Sequence, residues 1–183
     1  MGIGNVGMAV VSSALLIAGE ARAQQPQQQP PPPPQQHNPL DTVPDKMPFD
    51  VPYGAPIALT RAQAVIAAAQ AEAVKHNWKM NIAVVDSGGN LVAFARMDGA
   101  QLASIAISEH KARVAVTFRR ETKAYEGAVQ GGNTYVLTLD GLIASRGGIP
   151  LVEAGKLIGA IGCSGGTGSQ DEVVAKAGVA VVK

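Results

Sequence analysis

The sequence predicts an α+β fold with helices packed on an antiparallel sheet. Three observations carry this. The periodic segments run helix, two strands, helices, further strands, helix. Short turns join the neighbouring strands, which favours antiparallel pairing. The regular strand–helix alternation of a doubly wound parallel fold is missing. Aromatic residues make up only 4% of the chain, so Ala, Val, Ile and Leu must build the core. With 21 glycines, the elements are expected to be thin and closely packed.

The chain divides into three parts. Met8 to Ala18 is an apolar run of secretory length, too short to span a bilayer, and Ala21-Arg22-Ala23 is a small-x-small cleavage signal. Residues 1–23 are therefore expected to be a signal peptide, which makes the mature protein periplasmic or secreted. The n-region lacks Lys and Arg. Residues 24–56 form a Gln/Pro-rich spacer, with polyproline II character up to Pro39, and then an arm bearing Met47, Phe49, Val51 and Tyr53. That arm is expected to lie on the domain or on a neighbouring subunit. The domain itself is 57–183.

Within the domain, Thr60-Arg61-Ala62-Gln63 reads as a capping box with Leu59 as staple, opening an Ala-rich helix to about His76. Residues 81–85 and 91–95 are a hairpin. Asp86-Ser87-Gly88-Gly89-Asn90 between them holds residue types that tolerate positive φ or bond their own backbone. A second helix is expected over 102–118 and a short third over 122–129. Extended pieces follow near 135–139 and 149–153. Lys156–Ser164 is a glycine-interrupted strand, and Ser169-Gln170-Asp171-Glu172 reads as a capping box for the last helix.

A net charge of +1 excludes the basic excess of a nucleic-acid binder, and a single cysteine excludes an intrachain disulfide framework. Cys163, at the end of an apolar strand, reads as a small buried residue or as a nucleophile. The loop Gly162–Ser169 reads as a strand-to-helix turn or as an anion cradle; it fits neither the P-loop nor the dinucleotide fingerprint. On the second helix, Ile107, Val114 and Phe118 form one apolar row. Lys111 lies about 40° to one side of Ile107 and His110 about 60° to the other. Lys111 reads either as a side chain stretched over the core or as part of a site, and His110 as a bonded imidazole or a ligand. Arg96 and Asp98 would face the same side of an extended chain, as an ion pair or as part of a site.

The combination of motifs resembles the GlcG/HbpS family. It comprises Leu59-Thr60 before an Ala-rich helix, Val84-Val85-Asp86-Ser87-Gly88-Gly89, Leu91-Val92-Ala93-Phe94, Arg96-Met97-Asp98-Gly99-Ala100, and Lys111-Ala112. Gly147-Gly148-Ile149-Pro150-Leu151 and Ile158–Gly166 complete it. The family takes in glycolate-utilisation G-like and haem-binding proteins and the C-terminal domain of a corrinoid adenosyltransferase, and the likeness covers roughly 57–183. It implies a single antiparallel sheet flanked by helices in an α-β-α arrangement, assembled into homo-oligomers, with haem or a related tetrapyrrole bound by some members. This chain departs from the pattern at Asn90 and Ala95, where many relatives carry His, at Cys163, usually Val, and at Arg113, which stands where a Thr often follows Lys-Ala.

Three functions follow as expectations. The first is an exported oligomeric protein that binds haem or another small anionic ligand. There His110 is the iron ligand, because neutral imidazole suits iron, with His76 as the alternative, and Arg96, Lys111 and Arg113 meet carboxylates. The few aromatics favour a shallow or intersubunit site, and His37 in the spacer has no assigned role. The second is an enzyme acting on a small carboxylate or sugar-derived metabolite, with Lys111 as acid/base and Asp86 or Asp98 as partner. The third is a structural oligomer without ligand. Neither a nucleic-acid partner nor a membrane span is expected.

Overall fold

The run Ile82-Ala83-Val84-Val85 has no polar side to turn to water, and the computed structural model buries it on both faces. Residues 1–2 and 43–182 are described. The signal-peptide expectation, most of the spacer and His37 lie outside them, and the chain from Pro44 onward forms one unit. Four strands, β1 (Asn81–Asp86), β2 (Leu91–Arg96), β3 (Gly148–Glu153) and β4 (Lys156–Ser164), make one sheet in the order β2-β1-β4-β3. Every pairing is antiparallel.

The described residues form four helices: α1 (Leu59–Lys75), α2 (Ser104–Thr117), α3 (Lys123–Gln130) and α4 (Gly168–Val179). α1 and α4 pack on the face that carries Ile82, Val84, Ile161 and Cys163. α2 packs on the opposite face, against Ala83, Val85 and Ala160. The arrangement is the α-β-α sandwich that the motifs imply. In β4 the register slips at Ile158, because Leu151 faces Gly159 while Val152 faces Leu157. The extra residue resets the alternation. Leu157 and Ala160 therefore share the α2 face, and Ile158 and Ile161 share the α1/α4 face.

What lets α2 sit so close is a row of small residues. Gly162 of β4 lies opposite Ala83 of β1 on one side and Gly148 of β3 on the other. A side chain at Gly162 would run into the Ser108 carbonyl and Ala112, and one at Gly148 into the Lys111 carbonyl. The helix answers with Ser104, Ser108, Ala112 and Ala115 on its buried face. This corrects the expected apolar row. Val114 packs away from the sheet on Tyr125 and Val136, Phe118 joins it there, and Ile107 is only half-buried. Large side chains cannot enter a contact made at backbone distance, so they build a second cluster with α3.

The arm lies on its own domain. Leu157 N donates to Pro52 O, Gly54 N to Leu157 O, and Ile57 N to Ile158 O. The Tyr53 hydroxyl donates to the last carbonyls of α2, and the Arg120 guanidinium sits 3.0 Å over the Phe49 ring.

Three local expectations fail for tertiary reasons. α1 begins at Leu59, with Ala58 as an N-cap that has no side-chain bond, so Thr60 lies inside the helix. The pairing of Ile57 with β4 sets that start. The last helix is capped two residues earlier than expected, by Thr167 with Gln170 in a reciprocal box. This frees Asp171 to turn inward. The segment near 135–139 is a 3-10 helix, Thr134–Thr138, not a strand. Only Val136 turns inward there, so no two-residue alternation is available to pair with the sheet.

Candidate functional site

Lys111 is the largest fully buried side chain of the domain. Its stem starts on α2, on one face of the sheet, and its ammonium meets Asp171 of α4, which packs on the other face, at 2.7 Å. The two side chains are 2% and 3% exposed. Lys111 Nζ also donates to Cys163 O at 3.3 Å, and Asp171 Oδ1 accepts from Gly166 N at 3.1 Å. Burial pushes the Asp171 carboxyl above its ordinary value; Lys111 and the glycine N–H groups of 165 and 166 work against that rise. Gly147 closes the pocket with φ +113, a conformation open to glycine, and a side chain there would strike Asp171 and Cys163 O.

A partly exposed ion network surrounds this pair. Arg146 reaches Glu126 at 2.7 Å and Glu172 at 3.4 Å, while Lys123 and Lys176 reach Glu172 at 3.0 and 2.6 Å. The Arg146 side chain holds the Glu126 carboxyl below its ordinary range. From the sequence Asp171 and Glu172 read only as part of a helix cap, and Glu126 and Arg146 belong to no motif. Asp171 lies 60 residues from Lys111, so no local spacing marks it.

The other sequence candidates separate into two places. His110 and Arg113 line one groove of about 420 Å³ with Thr117, Phe118, Asp140 and Gly141. His110 Nε2 lies 2.9 Å from Gly141 O. A carbonyl can only accept, so Nε2 carries a proton; in the neutral ring Nδ1 then holds the lone pair, and it has no partner among the described residues. Arg113 is exposed and reaches Glu109 at 3.6 Å. Asp86 belongs to the same end of the molecule. It accepts from Gly88 N and Asn90 N at 2.8 and 2.9 Å, and Gly89 of that turn packs on Arg113 and Thr117. Burial opposes its ionisation, but these turn bonds outweigh it and hold the carboxyl low.

Arg96 and Asp98 sit at the other end of the hairpin, roughly 16 Å of strand away. Both are exposed, and they form no ion pair with each other among the described residues. His76 caps the end of α1, where it stacks on Trp78 at 4.3 Å and meets Glu72 at 3.1 Å. Lys111 therefore meets neither Asp86 nor Asp98. The catalytic pairing drawn from the sequence is replaced by a sealed Lys111–Asp171 pair with no access for a substrate. The apolar row of α2 does not form one wall of the His110 groove. Val114 is buried under Tyr125 and Val136, and Phe118 and Thr117 form the wall instead.

Cys163 is fully buried, and desolvation raises its thiol far above the ordinary range, so it is not a nucleophile. Among the described residues no three His, Cys, Asp or Glu side chains gather to hold a metal ion. No described helix is long and apolar enough to cross a membrane.

With this geometry in view, comparisons with known proteins are informative. Residues 57–180 match the family described as "Haem degrading protein HbpS-like". Protein GlcG of Escherichia coli (strain K12) is 50% identical over 103 residues, which are 56% of this chain and 77% of that protein. The crystal structure of an HbpS double mutant from Streptomyces reticuli superposes with a TM-score of 0.65 at 27% identity, covering 78% of this chain and 97% of that one. A crystal structure of a PduOC:haem complex gives a TM-score of 0.63 at 26% identity, covering 69% and 94%. The matched span includes the glycine floor, the Lys111–Asp171 pair and the His110 groove, and the chain belongs to the HbpS-like family.

Proposed function

We propose that the protein is an exported, oligomeric haem-binding protein and that haem contacts the groove beside His110. The observation that carries this reading is the state of the His110 ring. Its Nε2–H is tied to a backbone carbonyl, which in the neutral ring leaves the Nδ1 lone pair free. This is how a metal-ligating histidine is held, with the second nitrogen fixed by a carbonyl or carboxylate. Phe118 supplies an apolar wall for a planar ring, and the exposed Arg113 guanidinium supplies a partner for a propionate. Bound haem would bring an iron centre and a flat apolar ring. The chain would supply one nitrogen ligand, one wall and one cation. The family and the haem complex of PduOC support the ligand class.

The groove is open, so it would cover only part of a macrocycle. A second copy of the chain completing it accords with an oligomer, and light scattering with and without haem reads that state. The apolar run and Ala21-Arg22-Ala23 support export, which the mass of the natively processed chain reads. Haemin titration of the wild type is expected to give a saturable Soret shift. His110→Ala is expected to abolish it. Arg113→Ala is expected to weaken binding only several-fold, since an exposed ion pair is worth about 0–1 kcal/mol. A full Soret shift in His110→Ala, lost instead in His76→Ala, would move the ligand to the end of α1. No shift in the wild type would sink the haem reading.

A further inference from the structure

β3 is an outer strand of the sheet, and its edge offers little to a further strand. Gly148 N donates to Thr122 Oγ1 at 3.0 Å, and Gly148 O accepts from Thr122 N at 3.0 Å. Pro150 has no N–H to give. Along this edge runs a groove of about 340 Å³, within the size range of small-molecule sites. Ile149, Val152 and Val179 give it an apolar wall. Arg119, Arg120 and Glu121, from the turn between α2 and α3, give it a charged rim.

Arg120 is the unusual group. It is half-buried, yet among the described residues its guanidinium meets no carboxylate and its N–H groups find no acceptor. Its guanidinium carbon lies 3.0 Å from the centre of the Phe49 ring and 5.1 Å from that of Tyr125. Rings over the face of a guanidinium leave its edge, where all the N–H groups lie, as the outlet for hydrogen bonds. A cation withdrawn from water without an anion is costly, so an acceptor from outside the chain is expected at that edge. Arg119 takes φ 55 where the chain turns out of α2, a conformation uncommon outside glycine, and gives one N–H to Val51 O at 3.3 Å. Glu121 offsets one of the two cations, so the rim carries one net positive charge. One net cation over an apolar wall matches a carboxylate with an apolar tail. A phosphate dianion would keep one charge unmatched, and an added peptide strand would find the β3 edge without donors.

We propose that this groove is a second binding site, for a monocarboxylate that bears an aliphatic tail. It shares no lining residue with the His110 groove and does not rest on the haem reading. Calorimetric titration of the full chain with octanoate, acetate and octanol, without haem, tests it. Octanoate is expected to bind saturably at one site per chain. Acetate lacks the tail and octanol lacks the charge, and each is expected to bind at least tenfold more weakly. Arg120→Lys keeps the charge but loses the planar fork, and is expected to weaken octanoate binding at least tenfold. Arg120 also holds the arm through Phe49, so Val152→Asp is the second variant. It places a carboxylate on a wall position that is 38% exposed, where the fold tolerates it, and is expected to weaken octanoate at least tenfold. His110→Ala is expected to bind octanoate as the wild type does, so a failure of the haem site leaves this result readable. No saturable octanoate binding, acetate or octanol binding as tightly as octanoate, or wild-type affinity in either variant would each overturn the assignment.

Discussion

Replacing Asp171 by Ala is expected to cost the domain about 4 kcal/mol, within the 3–5 kcal/mol typical when one partner of a buried ion pair is removed. The size follows from what is left behind. The Lys111 ammonium would keep one neutral partner, Cys163 O at 3.3 Å, with almost no water within reach. Lys111→Met should cost less. Asp171 would keep its bonds from Gly165 and Gly166, and burial already pushes its carboxyl toward the neutral form. In that variant the folded state holds the Asp171 proton more tightly than the unfolded chain does. Its stability should therefore be greatest below the ordinary value of 3.8 and fall as pH rises through the raised folded value. The double variant Lys111→Met with Asp171→Asn removes both charges and keeps an acceptor for Gly166. It should lie within about 1 kcal/mol of the wild type. Urea unfolding measures all three. With a slope on the order of 2 kcal/mol/M, a loss of 4 kcal/mol lowers the midpoint by about 2 M. A single-variant loss under about 1 kcal/mol, or a double variant equal to the sum of the singles, would refute the reasoning.

Three further outcomes follow from the same geometry. Gly162→Ala should destabilise by about 3 kcal/mol or more, because the new methyl meets the α2 backbone rather than a movable side chain, whereas Gly127→Ala, with open space around it in α3, should stabilise by about 0.5–1 kcal/mol; thermal unfolding of the pair separates close packing from helix propensity. The Arg146 bond holds Glu126 below 4.5, so its contribution is present above pH 4.5 and lost as pH falls through the lowered folded value. Glu126→Gln should therefore flatten the acid limb of a stability–pH series, and an unchanged limb would count against the ion pair. Native Cys163 should resist a thiol reagent until the protein unfolds, since it is fully buried with a raised thiol; rapid labelling of the folded chain would contradict its burial.

The sequence by itself determined an α+β fold with helices on an antiparallel sheet, the hairpin, the strands near 149–153 and 156–164, and the helical segments. These follow from local periodicity and from turn residues such as Asp86-Ser87-Gly88-Gly89-Asn90, whose bonds stay within four positions. It also placed His110 and Arg113 on one helix, three residues apart, and that spacing is enough to bring them to one groove. The tertiary structure decided the rest. Which face of α2 turns inward depends on Gly148 and Gly162, which come from strands far along the chain and exclude large side chains. A hydrophobicity pattern ranks Val114 and Phe118 above Ser104 and Ser108, so it points to the wrong face. From the sequence Lys111 reads as a side chain stretched over the core or as part of a site, because a charge is costly to bury. Only the arrival of Asp171 from the other side of the sheet makes that burial tolerable. Such a pairing depends on distance in space, and sequence separation carries no trace of it.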